Sequence, residues 1–129
     1  MTDVNGQSVL HISAFAGNVG VFVYFYCNLL TDIDKKDLKS CTPLHLAVME
    51  GNESMSIFLI SISESLEIKD AKGFTPLHLT VFQSAYKIAK HLVMKGASRK
   101  TKCNYGQSPF ELAKNRGCTD MFKVLVWAI

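Results

Sequence analysis

The sequence predicts an all-α solenoid: helix–turn–helix units stacked in order, with short β-hairpin-like turns between them. Three observations predict it. The only prolines, Pro43, Pro76 and Pro109, stand 33 residues apart. Each opens a similar string: Thr42-Pro43-Leu44-His45-Leu46-Ala47, Thr75-Pro76-Leu77-His78-Leu79-Thr80 and Ser108-Pro109-Phe110-Glu111-Leu112-Ala113. A fourth copy, Ser8-Val9-Leu10-His11-Ile12-Ser13, lies 34 residues before the Thr42 string and keeps the hydroxyl, the Leu and the His. A fixed period of this size marks a repeat architecture. The third observation is the apolar content. Hydrophobic residues make up 48% of the 129, yet the longest apolar run, Val19 to Cys27, is nine residues with one Gly. A membrane-spanning helix needs about 20, so no span is expected. Many short helices, each burying one face, account for the composition, which excludes intrinsic disorder.

The units fall at 3–36, 37–69, 70–102 and 103–129 of a single domain. Each begins with a turn, opened by Asp3, Asp37 and Asp70, with Cys103 in the fourth place. Gly6, Gly73 and Gly106 sit within these turns, and Ser40 takes that place in the second. The following Thr or Ser offers its oxygen to the free N–H groups of a first helical turn. Pro at the next position has the right φ and no N–H to leave unbonded. Nine residues after the hydroxyl, Gly17, Gly51 and Gly117 close the first helix, a position that favours left-handed φ. Ser84 stands there in the third unit.

A second helix follows in each unit. Its apolar positions are Val21, Phe22, Phe25 and Leu29, then Met55, Ile57, Phe58, Leu59 and Ile60. The third unit has Ile88, Ala89, Leu92 and Val93, with Gly96 ending the helix, and the fourth has Met121, Phe122, Val124, Leu125 and Val126. The third has the clearest amphipathic spacing. Val21 to Tyr26 reads as a strand by propensity, but the repeat register assigns it to a helix.

Turn, Thr-Pro-Leu-His helix, glycine and second helix at a 33-residue period: the chain resembles an ankyrin-repeat array over nearly its whole length. Thr42, Pro43, Leu44 and His45, and Thr75, Pro76, Leu77 and His78, carry the motif intact. The departures are Val9 for Pro, Phe110-Glu111 for Leu-His, and Ser84-Ala85 for Gly-His. The resemblance implies that His11, His45 and His78 bond turn backbone and tie neighbouring units together, rather than ligating a metal. It also implies a non-catalytic protein–protein interaction scaffold or adaptor that uses the concave surface of turn tips and first helices. Carried over position by position, the candidate partner-binding residues are Phe15, Lys39, Met49, Glu50, Lys72, Phe74, Phe82, Gln83, Tyr105, Gln107 and Arg116. The first-unit tips would be Val4, Asn5 and Gln7. An alternative implied role is a regulatory ankyrin segment of a larger membrane-associated protein, of ion-channel or palmitoyltransferase type. The apolar first-unit helix and the apolar C-terminus speak for it.

The sequence contains no G-x-S-x-G, G-x-x-x-x-G-K-[ST], G-x-G-x-x-G or H-E-x-x-H motif. An enzyme, a cofactor and a metal site are therefore not expected. Cys27, Cys41, Cys103 and Cys118 form no C-x-x-C pair and read as free thiols. The start of the chain has no basic region followed by an apolar core, so no signal peptide is expected, and the location expected is intracellular, cytoplasmic. The net charge of +3 conceals an asymmetry: residues 1–70 carry −5 and residues 71–129 carry +8. The densest basic run is Arg99-Lys100-Thr101-Lys102. An acidic protein partner steered to the basic half, or an anionic membrane surface there, is expected, and nucleic acid is not. The apolar ending Val124 to Ile129, with Trp127, predicts an edge that contacts further repeats, a second domain or another subunit.

Overall fold

A computed structural model describes residues 9–29, 33, 35–63 and 65–127. The first turn (Asp3, Val4, Asn5, Gly6, Gln7, Ser8), the terminal Ile129 and the side chain of Trp127 lie outside the described parts. Eight helices follow in pairs among the described residues, with no strand. They are α1 (Val9–Ala16) and α2 (Val19–Leu29), α3 (Pro43–Met49) and α4 (Glu53–Ile62), α5 (Pro76–Gln83) and α6 (Tyr86–Met94), and α7 (Pro109–Asn115) and α8 (Thr119–Trp127). The first helices pack in one row, α1 on α3 on α5 on α7, and the second helices in another, α2 on α4 on α6 on α8. No helix among the described residues is long and apolar enough to cross a membrane.

The helix starts follow the sequence logic. Thr42 and Ser108 accept from the backbone N–H of His45 and Glu111, and Pro43, Pro76 and Pro109 open their helices. Gly17, Gly51 and Gly117 adopt φ of +71°, +68° and +68°, and Ser84 copies them at +52°. Inside the turns Ser40, at +61°, does what Gly73 and Gly106 do at +80° and +76°. Asn18 and Asn52 add caps that the motif reading did not anticipate. Asn18 Oδ1 accepts from Val21 N at 3.0 Å, and Asn52 Oδ1 from Met55 N at 2.8 Å.

The turns are tight and hairpin-like. Asp37 N–H donates to the Cys41 carbonyl, Asp70 N–H to Phe74 and Cys103 N–H to Gln107. The Asp37 and Asp70 carboxylates each accept two further turn amides at 2.9 Å. Successive turns are also joined to each other, since Ala71 N–H donates to the Lys39 carbonyl and Asn104 N–H to that of Lys72. Long side chains repeat the link: Lys36 Nζ donates to the Lys69 carbonyl at 3.1 Å, and Lys69 Nζ to that of Lys102 at 3.0 Å.

The core runs continuously between the helix rows. Leu10, Phe22, Leu44, Met55, Leu59, Leu77, Ile88, Leu92, Met121 and Leu125 are buried along it. Phe22 packs edge-on against Phe58 with ring centroids 6.0 Å apart. That contact explains why the β-prone Val21–Tyr26 segment is helical. Only a helix in register brings Phe22 under the neighbouring unit, and tertiary packing overrides propensity.

Candidate functional site

The motif histidines sit where one unit meets the next. All three are fully buried. In α3, the Thr42 N–H and hydroxyl both point at Nδ1 of His45, at 3.1 and 2.8 Å. Nδ1 is thereby an acceptor, so the proton stands on Nε2, which donates to the Phe74 carbonyl of the third unit at 3.1 Å. His78 repeats the pattern with Thr75 and the Gln107 carbonyl, at 2.9 Å. His11 Nε2 donates to the Cys41 carbonyl at 2.9 Å. The role implied by the resemblance is the one these rings play. Burial holds the imidazoles of His45 and His78 below the ordinary histidine pKa. His91 is exposed on α6 and bonds the Lys87 carbonyl within its own helix.

Beside this seam, on the side of the turns, a cleft of about 520 Å³ opens between the second and third units. Met49 from α3 and Leu79 and Phe82 from α5 line it, with Phe74 from the intervening turn. Lys39 and Lys72, at the two turn tips, and Gln83 complete the lining. Both lysines are exposed. The Asp70 carboxylate also lines the cleft, but it is committed to the amides of Lys72 and Phe74. Cys41 lies there too. Burial first, and the Asp37 carboxylate second, push its thiol up to about 11, so it stays protonated and unreactive near neutral pH.

The aromatic band continues into the fourth unit. Phe74 meets Phe82 edge-on at 5.1 Å, and the Tyr105 ring lies 6.1 Å from Phe74. The Arg116 guanidinium stacks over Phe82, 4.9 Å from the ring centroid. Of the predicted residues, Lys39, Met49, Lys72, Phe74, Phe82 and Gln83 therefore share one cleft, and Tyr105 and Arg116 attach to it through rings. Phe15 and Glu50 are exposed outside that lining. Gln107 is half-buried, and its carbonyl is taken by His78, which makes it a joint between units. Leu79 was missed. Like Leu77 in the same motif string it is a buried core residue, and nothing in the string marks which of the two also borders a groove.

The basic run flanks a second cleft of about 490 Å³ at the C-terminal end, lined by Arg99, Lys100, Lys102, Ser108, Phe110, Glu111 and Leu125. Arg99 is already bonded to the Leu125 carbonyl. Neither cleft brings together a nucleophile, a base and an activating partner. What the first one offers is a largely apolar trough with two exposed lysines in its lining.

Comparison with known proteins agrees with this architecture. The family model for ankyrin repeats in three copies matches residues 10–103. Among curated proteins, NF-kappa-B inhibitor delta of Mus musculus is 40% identical over 55 residues, covering 42% of this chain. The matched stretch spans only 17% of that relative's length.

Proposed function

The chain belongs to the ankyrin-repeat family, and we propose that it is a non-catalytic protein-recognition scaffold that captures its partner in the cleft between the second and third units. Ankyrin repeats are generally protein-interaction modules. One observation carries the finer reading: exposed Met49 and Phe82 and half-buried Phe74 line one cleft together with the exposed Lys39 and Lys72. Aromatic and aliphatic anchors in such a trough supply most of an interface's affinity. Flanking cations favour carboxylates on the partner and speed the encounter. The partner that fits is a protein segment offering one apolar side chain next to acidic residues. By its name, the murine relative is an inhibitor of NF-kappa-B.

The test is affinity capture with Met49→Ala and Phe82→Ala combined. Proteins retained by the wild-type chain should bind the double variant at least about tenfold more weakly, with an unchanged circular-dichroism spectrum. Capture should also weaken as salt rises from low to high. Full retention by the double variant places recognition elsewhere on the molecule.

A further inference from the structure

One helix face in the stack is charged and bare although units flank it on both sides. α6 turns Ile88, Ala89, Leu92 and Val93 into the core. A helical repeat of about 3.6 residues puts the remaining side chains on the opposite arc. Across that arc they run Tyr86, Lys90, Met94, Lys87 and His91, with Lys95 just past the helix, and all six are exposed. Met94 stands in the middle, 72% exposed, with a lysine to either side. α4 packs against α6 on one flank and α8 on the other. The face is therefore open because it looks outward, and a further unit at either end of the stack would not cover it.

The charge belongs to this unit and not to the repeat. Where α6 has Lys90, His91 and Lys95, α4 has Ile57, Phe58 and Ile62, all half-buried. Residues 71–110 hold seven Lys or Arg and no Asp or Glu. On α8, Lys123 repeats Lys90 and is exposed. The flanking acids Glu53 and Asp120 stand in the first turns of α4 and α8, at the opposite end of the face from Met94 and Lys95. Glu67, beside the loop that follows α6, is held by the Ser98 N–H and the Thr101 hydroxyl at 2.9 and 3.1 Å.

We propose that this outer face of α6 docks on a bilayer surface rich in anionic phospholipids. Lysines around a bare thioether select that occupant. At the headgroup level the ammonium groups meet lipid anions, their stems lie along the acyl boundary, and an apolar side chain between them leaves water. A soluble acidic chain would neutralise the lysines and leave Met94 hydrated. Tyr86, 41% exposed at the edge of the face, has the amphipathic ring that settles at that depth. No α6 residue lines either cleft, so the proposal stands or falls apart from the recognition trough.

Co-sedimentation of the full chain with vesicles tests this. Phosphatidylcholine vesicles containing about 30% phosphatidylserine should carry the chain down at low salt, and pure phosphatidylcholine vesicles should not. Each basic residue near such a surface adds about fivefold to binding. Lys87→Glu combined with Lys90→Glu should therefore weaken it at least about tenfold, while the far-ultraviolet spectrum holds. Lys35→Glu combined with Lys114→Glu makes the same change in net charge at exposed sites off this face, and should weaken it less than about threefold. Met94→Ser should lower binding at every salt concentration, since it removes apolar and not ionic contact. Failure to pellet with the anionic vesicles, or equal pelleting with both kinds, overturns the proposal. So does an equal loss in the two lysine pairs, which reduces the interaction to net charge. Binding unchanged in Met94→Ser overturns it too, and leaves a soluble polyanion as the occupant.

Discussion

At His45 one ring serves two units, and its chemistry makes the joint sensitive to acid. Nδ1 accepts from Thr42 while Nε2 donates across to Phe74. A second proton would have to enter at Nδ1 and break the capping bond at α3. The same holds at His78, and burial holds both pKa values below 6.5. The sign follows from linkage: below pH 6.5 the unfolded chain takes up protons that the folded chain refuses, so stability is full above that value and falls as acid is added. Thermal melting at pH 7.5 and pH 5.5 should show a lower transition at pH 5.5. The drop should shrink in His45→Gln and His78→Gln. An equal drop in both variants would exclude these rings as the cause. These residues were legible from sequence through the family resemblance, which implied an imidazole bonding turn backbone across units; the second bond, from the Thr hydroxyl to Nδ1, was not part of that reading. Ser40 and Ser84 were legible in the same way: each stands at a glycine place, and each adopts left-handed φ.

Among the elements, the turns are where close approach decides what residue is allowed. Gly73 and Gly106 have nearly the same φ, +80° and +76°, but different surroundings. A β-carbon on Gly73 would lie 2.6 Å from the Asn104 backbone nitrogen, whereas at Gly106 nothing lies within 4 Å. Gly106→Ala should therefore cost only the left-handed penalty of about 1–2 kcal/mol. Gly73→Ala should cost more, because it also forces apart two turns that bond through Asn104 N–H and the Lys72 carbonyl. Urea titration of both variants gives the comparison, and equal losses would deny the turn-to-turn contact any weight. Sequence alone located both glycines but held no sign of this difference, which arises from the turn one unit away. The helices divide similarly. α2 was legible only through its register, against its own β-propensity, and the Asn18 and Asn52 caps hid in a position read merely as following a glycine.

Taken as a whole molecule, the stack has one core and no unit able to fold apart from its neighbours. Leu77, on α5, is buried in that core at 1% exposure. Leu77→Asp places a bare carboxylate there and should cost more than about 4 kcal/mol, a large share of a small domain's stability. Loss of helical signal across the whole chain is expected. A variant that loses only one unit's worth of signal and melts cooperatively would show the units to be independent. The charge division into −5 and +8 halves was visible in the sequence. The difference in exposure between Ile12, at 49%, and its counterpart Leu46, at 6%, was not, because the two are equivalent letters in the motif.

The links between units gather along one edge. Backbone amides, buried imidazoles and the Lys36–Lys69–Lys102 series all cross at the turns. The second helices meet through apolar packing, joined at the far end by the bond from Arg99 to the Leu125 carbonyl of α8. The molecule is thus bound like a book at its spine. The trough lined by Lys39, Lys72 and Phe74 lies against that spine, and the same backbone bonds that join the turns, Ala71 N–H to Lys39 and Asn104 N–H to Lys72, fix the spacing of its two lysine-bearing tips.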